Sequence, residues 1–342
     1  MSDSGCLADD GTFVKMHKLP KHNAIRVFEG FAGYGGATFG LRRSGLKFKV
    51  VGSSEYDKFA SELLLANFPD VTNFGDITKI NPQELPDFDF FTGGFPCQPF
   101  STAGMQKGES DPYGRGTLFY DIFRICHEKH PKYILLENVK GLTSKKFEPT
   151  FNRIKDILRE EGYGELAYAV LNSKDYGIPQ NRERLWMFAR LGGLPDSFDI
   201  VPPKQTNELR FGDFLDKTPP KELYLSQEQI AHLKVKHHIP SFAVEKPLCF
   251  DVYNKKIKTD GYCITITQPE HNSLRVVEVP KKDGLEIVRK MSIDEQFRFM
   301  GFKNGELNYA GQSYSQLSKR AGNGWDVNLV GILLNHIFSQ LL

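Results

Sequence analysis

Residues 25–36 read IRVFEGFAGYGG: an apolar run passes through Gly30, Gly33, Gly35 and Gly36 into a helical pattern over residues 37–44. A strand, a glycine-rich turn and a helix in this order open the cofactor crevice of Rossmann-like sheets, at the carboxyl end of the first strand. The glycine spacing matches neither the dinucleotide fingerprint GxGxxG nor a lysine-bearing P-loop, so a phosphate cradle is disfavoured. Glu55, in GSSEYD, follows about 20 residues later, where an acidic side chain accepts hydrogen bonds from ribose hydroxyls. Asp76, in FGDIT, follows a third segment. A nucleoside cofactor without a pyrophosphate fits these facts; a tight structural turn is the alternative for the glycines alone.

Outward from this stretch the pattern alternates. Residues 25–29, 49–53, 88–92, 133–137, 168–171 and 185–189 read as short buried strands, and residues 37–44, 57–68, 118–129 and 151–161 as helices. Such alternation predicts an α/β domain with a mostly parallel sheet covered on both faces. Near residue 195 the character changes to paired prolines, lysine clusters and short β-like runs at residues 262–267 and 274–279. This is the pattern of a smaller, irregular, β-containing domain. Residues 293–300 and 327–342 turn helical again, and the last helix is expected to pack back onto the large domain. The predicted division is 1–195, 196–305 and 306–342.

Composition bounds the function classes. The 342 residues, 40% hydrophobic and 25% charged without a low-complexity tract, exclude disordered, collagenous and coiled-coil chains. Apolar stretches run only a few residues against the ~20 a bilayer span needs, so no membrane partner is expected. The opening MSDSGCLADDGTFVK has early acidic residues and no apolar core, which predicts a cytoplasmic protein. Lys and Arg number 44 against 42 Asp and Glu, but residues 201–290 carry 15 against 12, placing the positive excess in the small domain. The five cysteines (Cys6, Cys97, Cys126, Cys249 and Cys263) form no CxxC pair, and the run from Cys126 to His130 makes no HExxH frame. Neither a disulfide framework nor a metal site is expected.

Three further stretches carry chemistry. In GGFPCQPFS (residues 93–101), Cys97 lies in a Gly- and Pro-rich loop just past a strand, unlike a buried packing cysteine, and the polar, Gly-rich residues 101–116 suit a closing lid. In YILLENVKGL (residues 133–142), Glu137 ends an apolar strand, where desolvation would favour a proton donor; capping of the turn before Asn138 is the bland alternative. In YGIPQNRERLWMF (residues 176–188), Arg182 and Arg184 alternate at a strand start, as a fork for an oxygen ligand or as surface charges.

FAGYGG, GGFPCQPFS, ENVKGL, QNRERLWMF, RKMSIDEQFRFMGF (residues 289–302) and GNGWDVN (residues 322–328), in this order, resemble the successive motifs of cytosine-5 DNA methyltransferases. The likeness covers roughly residues 25–342 and is nearest to the short bacterial enzymes of restriction–modification systems. One departure is Gly324-Trp325 after Asn323, where the family carries a small residue and valine.

The resemblance implies a Rossmann-like, S-adenosyl-L-methionine-dependent methyltransferase sheet with a target-recognition domain at residues 196–305, in a bacterial or phage-encoded monomer acting on double-stranded DNA. Cys97 would attack carbon 6 of a flipped-out cytosine, carbon 5 would take the methyl group, and Glu137, Arg182 and Arg184 would assist at the ring and the cysteine loop. The cofactor would meet Phe31, Ala32, Gly33, Gly35, Gly36, Glu55, Tyr56, Asp76, Ile77, Phe95, Leu118 and Asn323. DNA would meet Gln98, Ser101, Lys255, Lys256, Thr265 and Arg275, with Lys258 as a further candidate; for the basic residues a solvated face is the alternative. Cytosine methylation of tRNA and a non-catalytic DNA-binding relative are the competing readings.

Overall fold

The computed structural model describes residues 24–96, 118–205, 208–268, 274–280 and 282–342, together with a short strand pair, Cys6–Leu7 and Phe13–Val14. In chain order the further strands are β1 (Ile25–Gly30), β2 (Phe48–Ser54), β3 (Phe90–Gly94), β4 (Tyr133–Val139), β5 (Ala167–Asn172), β6 (Gln180–Asn181), β7 (Glu183–Arg190), β8 (Leu248–Asp251), β9 (Lys256–Lys258), β10 (Cys263–Ile264), β11 (Leu274–Glu278) and β12 (Ile287–Arg289). The α-helices are α1 (Gly36–Ser44), α2 (Lys58–Asn67), α3 (Leu118–Lys129), α4 (Glu148–Glu160), α5 (Gln227–His237), α6 (Ile293–Arg298), α7 (Tyr314–Asn323) and α8 (Val327–Ser339). Two compact units result: Met1–Leu171 with Arg184–Pro203 and Leu329–Leu342, and Asn172–Glu183 with Lys204–Asn328.

The first unit is built on a six-stranded sheet in the order β2-β1-β3-β4-β7-β5. β1 pairs in parallel with β2 and β3, and β3 with β4, as strand–helix alternation dictates. β7 enters antiparallel to β4, with Glu137 opposite Trp186 and Val139 opposite Arg184. Successive side chains point to opposite faces, so Phe91 and Phe90 serve different layers. Phe91 joins Phe28 and Phe88 on the face covered by α3 and α4, with the Phe28 and Phe88 rings stacked at 5.2 Å. Phe90 meets Phe338 of α8 edge-on at 5.5 Å, and Tyr133 meets the same ring at 5.0 Å. Full burial of such a ring stabilises by roughly 1.5–3 kcal/mol, which fixes α8 against the sheet. α2 starts where the Asp57 side chain accepts from the Ala60 amide and stops before Pro69.

The second unit carries a four-stranded antiparallel sheet, β9-β8-β11-β12, and a short parallel pairing of β6 with β10. Phe211, Phe214 and Phe299 pack with Cys249, Cys263, Ile266 and Val276 in its core. RKMSIDEQ, the stretch opening one of the quoted motifs, acts here as a buried ionic clasp. The fully buried Arg289 donates to both carboxylate oxygens of Glu295 at 2.7 Å, and Ser292 and Glu295 form the capping box of α6.

The units divide the chain differently from the continuous boundaries at 195 and 305. Asn172–Glu183 lies with the second unit because β6 pairs with β10 and Gln180 donates to the Phe299 carbonyl at 2.6 Å. Residues 306–328 lie there too, held by Ser318 on Gln296 (2.7 Å) and Tyr314 on the Met291 carbonyl (2.8 Å).

Candidate functional site

The turn after β1 determines what the first unit can bind. Gly35 precedes α1 in the left-handed region (φ 89°), which glycine enters without strain, and a Cβ there would meet the Phe68 ring at 2.6 Å. Glycine offers no side chain to cap the helix. The missing acceptor comes from Glu29, at the end of β1. Its carboxylate accepts from the Ala37 amide (2.8 Å), the Thr38 amide (3.2 Å) and the Thr38 hydroxyl (2.5 Å). The first donors of α1 are thus engaged by a carboxylate, and the terminus is closed to a phosphate.

Around this turn, Phe31 adopts φ 53°, an unusual conformation for a bulky residue. Ala32 is buried and its amide donates to the Ser54 carbonyl at 3.0 Å. Gly33 donates to Glu55 Oε2 at 2.8 Å, and Glu55 Oε1 accepts from the Asp57 amide at 2.7 Å. The Glu55 backbone is fixed in turn by Asn73 (2.9 Å). Tyr56 projects into solvent, 78% exposed. Asp76 caps the turn beginning at the buried Ile77; the Thr78 hydroxyl at 2.8 Å, the Thr78 amide and Lys79 hold its carboxyl below the usual range. Gly36 is the first residue of α1, and Leu118 opens α3, packed partly against the core.

Burial pushes the Glu29 carboxyl up from 4.5 to about 7, against the lowering effect of the Thr38 and Ala37 hydrogen bonds. With the folded value above the unfolded one, its stabilising contribution is complete below about pH 4.5 and is lost as pH rises through about 7. The melting temperature of Glu29→Gln minus that of the wild type is therefore expected to grow between about pH 5 and pH 8. A difference that stays flat over that interval contradicts the assignment.

A second cluster lies at the carboxyl ends of β3 and β4. Glu137 is 9% exposed, and Arg184 Nε lies 3.0 Å from its Oε1. The antiparallel register explains the contact: Arg184 stands opposite Val139, so Glu137 is its diagonal neighbour on the same face. Asn138, buried, donates from Nδ2 to the Phe95 carbonyl at 2.9 Å and thereby ties the end of β4 to the chain leaving β3. Phe95 is buried, its ring 5.7 Å from Phe119. Cys97, Gln98, Ser101 and the rest of the loop to residue 116 lie outside the described residues.

The other candidates lie in the second unit. Arg182 is 3% exposed, and its guanidinium donates to the carbonyls of Ile266 (3.0 Å), Gly322 (3.2 Å) and Gly324 (2.7 Å). Three carbonyl acceptors on one guanidinium, two of them buried, make it a clasp between the segment after β10 and the end of α7. The approach is close: a Cβ on Gly322 would lie 2.3 Å from the backbone of Thr267 and Gln268. Asn323 is exposed at the end of α7, and Trp325 is partly buried beyond it. Thr265 donates to the Asn181 carbonyl at 2.7 Å. Lys255 and Lys256 are exposed, Lys258 pairs with Asp260 at 3.1 Å, and the half-buried Arg275 donates to the Leu274 carbonyl at 2.7 Å. Among the described residues no group of three or more His, Cys, Asp or Glu side chains could hold a metal, and no helix is long and apolar enough to cross a membrane.

The sequence model for C-5 cytosine-specific DNA methylases matches residues 25–339. The chain belongs to this family. This methylase is similar to the type II methyltransferase M.SsoII of Shigella sonnei, 34% identical over 331 residues that cover 94% of this chain and 82% of that relative. It is similar also to M.HaeII of Haemophilus aegyptius, a type II methyltransferase, 35% identical over 315 residues covering 91% and 92% of the two chains. Among solved structures, the S. pombe Dnmt2 methyltransferase superimposes with a TM-score of 0.71 over 93% of this chain and 99% of that one, at 20% identity, a likeness of fold. The methylase is a DNA (cytosine-5-)-methyltransferase of the type II restriction–modification kind.

Two residues of the methylase escaped the sequence reading. Glu29 carried a signal: an acidic residue lies near the end of an apolar strand, ahead of a helix whose N-cap position is a glycine with no side chain to cap it. Asn138 carried none, because its partner Phe95 lies 43 residues away.

Proposed function

We propose that the methylase transfers a methyl group from S-adenosyl-L-methionine to carbon 5 of a cytosine flipped out of double-stranded DNA, within a short specific sequence, through a covalent adduct on Cys97. It would serve as the modification enzyme of a restriction–modification system. The observation that carries this reading is the buried Glu137–Arg184 pair, at 3.0 Å, on the strand end that Asn138 ties to the chain two residues before Cys97.

The glycine corner fits the cofactor by its chemistry. Glu29 occupies the first donors of α1, and two further carboxylates follow, Glu55 just past the end of β2 and Asp76 at the cap of the turn that begins at Ile77. A corner of this kind disfavours a pyrophosphate and suits a nucleoside that carries positive charge. Glu55 would accept from the ribose hydroxyls, Phe31 and Tyr56 would flank the base, and Asp76, Ile77, Phe95 and Leu118 would complete the first unit's side of the site. When bound, S-adenosyl-L-methionine supplies an electrophilic methyl group.

The chain's own residues do the rest. The Cys97 thiolate adds to carbon 6 of the cytosine, and the displaced electron pair makes carbon 5 nucleophilic. Glu137 gives a proton to ring nitrogen 3, which draws charge out of the ring, while Arg184 holds the carboxyl in place. Carbon 5 would then take the methyl group, with S-adenosyl-L-homocysteine as the leaving product; carbon 5 would lose its proton to water, the carbon 6–sulfur bond would break to return the thiolate, and nitrogen 3 would give its proton back to Glu137, which restores the double bond. Arg182 acts as a positioning residue through the carbonyls it clasps. Flipping a cytosine costs a few kcal/mol, and contacts from residues 101–116 and from the small domain would offset that cost.

Bisulfite sequencing of plasmid DNA from cells expressing the methylase is expected to show cytosines protected within one short recurrent sequence. Uniform conversion, with soluble protein present in those cells, would refute the function.

A further inference from the structure

The β8–β9 hairpin of the second unit has a base fixed by packing and a tip that folding does not use. Phe250 of β8 is fully buried, edge-on to Phe242 at 5.0 Å, and Ile257 opposite it packs in the same cluster. At the tip, the buried Asp251 carboxylate accepts from the Asn254 amide (3.1 Å) and from Asn254 Nδ2 (2.7 Å). Lys255 then takes φ 53°, which costs a non-glycine residue about 1–2 kcal/mol. The loop is thus held in one shape at some expense, and what it holds out is Tyr253, 84% exposed. The exposed Lys255 and Lys256 follow directly.

The end of α5 lies beside this hairpin. The His237 ring stands edge-on to Phe250 at 6.1 Å, and Lys236 and Lys255 are its cationic neighbours, with His232 and His238 also close by. The nearest acid–base pair on the helix, Lys234 with Glu286 at 2.9 Å, is already satisfied. An exposed ring on a hydrogen-bonded tip, set among basic groups, has the composition of a duplex contact: cations for phosphates and an apolar ring for base edges in a groove.

We propose that the hairpin Leu248–Lys258, with the C-terminal turn of α5, docks on double-stranded DNA, and that the Tyr253 ring makes a base contact while Lys255 and Lys256 meet flanking phosphates. This rests on the DNA-methylating function proposed above and names the residue through which the small domain reads its target.

The test uses the full chain and a duplex carrying the sequence that bisulfite mapping identifies. Tyr253→Ala is expected to raise the Kd for that duplex by roughly 5- to 150-fold, the ~1–3 kcal/mol that one base position of a specific site carries, with an unchanged melting temperature. Tyr253→Phe should bind within twofold of wild type. The Lys255→Ala, Lys256→Ala double variant should weaken target and non-target duplexes alike and lower the salt-dependence slope by about 2. Tyr253→Ala binding within twofold of wild type overturns the proposal, as does an equal loss in Tyr253→Phe, which would assign the contact to the hydroxyl. A wild-type protein that protects no cytosine refutes the underlying function; one that protects a sequence while Tyr253→Ala binds it as wild type refutes the hairpin contact alone.

Discussion

Replacing Cys97 with serine is expected to end methyl transfer while leaving duplex binding at the wild-type level. A thiol with the ordinary pKa of ~8.5 is already about a tenth ionised near pH 7.5, so lowering that value gains at most about tenfold. The advantage of Cys97 therefore lies in the sulfur atom rather than in tuning by its surroundings. A serine hydroxyl is not ionised in this range and lacks the polarisable sulfur, and loss of a nucleophile from a concerted site costs on the order of 10⁴-fold or more. Labelled-methyl incorporation and gel shift on the same duplex separate the two readouts. Turnover of Cys97→Ser within tenfold of wild type would sink the covalent mechanism. A duplex with 5-fluorocytosine at the target position should trap wild-type protein as an adduct and leave the serine variant unbound after denaturation, because fluorine at carbon 5 blocks the elimination that releases the thiolate.

What the sequence made legible was local. The β1 turn, the end of α2 before Pro69 and the strand runs at β3 and β4 follow from periodicity and punctuation within ten or so residues, and they lie close to where the pattern put them. The antiparallel entry of β7 was not legible, because Leu185 to Ala189 is buried on both faces and an unbroken apolar run carries no direction. Arg182 shows the same limit for side chains. Its three carbonyl partners lie 84, 140 and 142 residues away, so the sequence offered a fork for an oxygen ligand without saying that backbone oxygens would fill it. The compact units diverge from a continuous division for this reason too. A twelve-residue segment, Asn172–Glu183, lies with a unit whose remainder begins at Lys204. Glu29 is the opposite case, with partners only eight and nine residues away. The glycines that dominate this stretch are what make it necessary, because they bring no side chain to cap α1.

Glu137→Gln is expected to lower the rate of methyl transfer by about 10²- to 10⁴-fold, the range assigned to a positioned proton donor, with DNA affinity changed only a few-fold. Glutamine keeps the shape of the side chain, and its carbonyl can still accept from Arg184 Nε, now 3.0 Å from a carboxylate oxygen. The strand end should therefore survive the exchange. The amide can still point a hydrogen at ring nitrogen 3, which retains part of the electrostatic assistance, but it cannot give that hydrogen up. The predicted loss is thus smaller than that of Cys97→Ser, where no bond to carbon 6 forms at all. The burial inferred from the apolar run of β4 is present, and so is a cation the run did not foretell: Arg184 Nε, 3.0 Å from the Glu137 carboxylate, fixes its orientation. Single-turnover methyl transfer under saturating DNA reads the chemical step directly. A loss below about fivefold, or one that appears only in KM, would mean that Glu137 positions the base without protonating it. The withdrawal of charge from the ring would then fall to Arg184, and Arg184→Lys, which keeps the charge but not the Nε geometry, would show the larger defect.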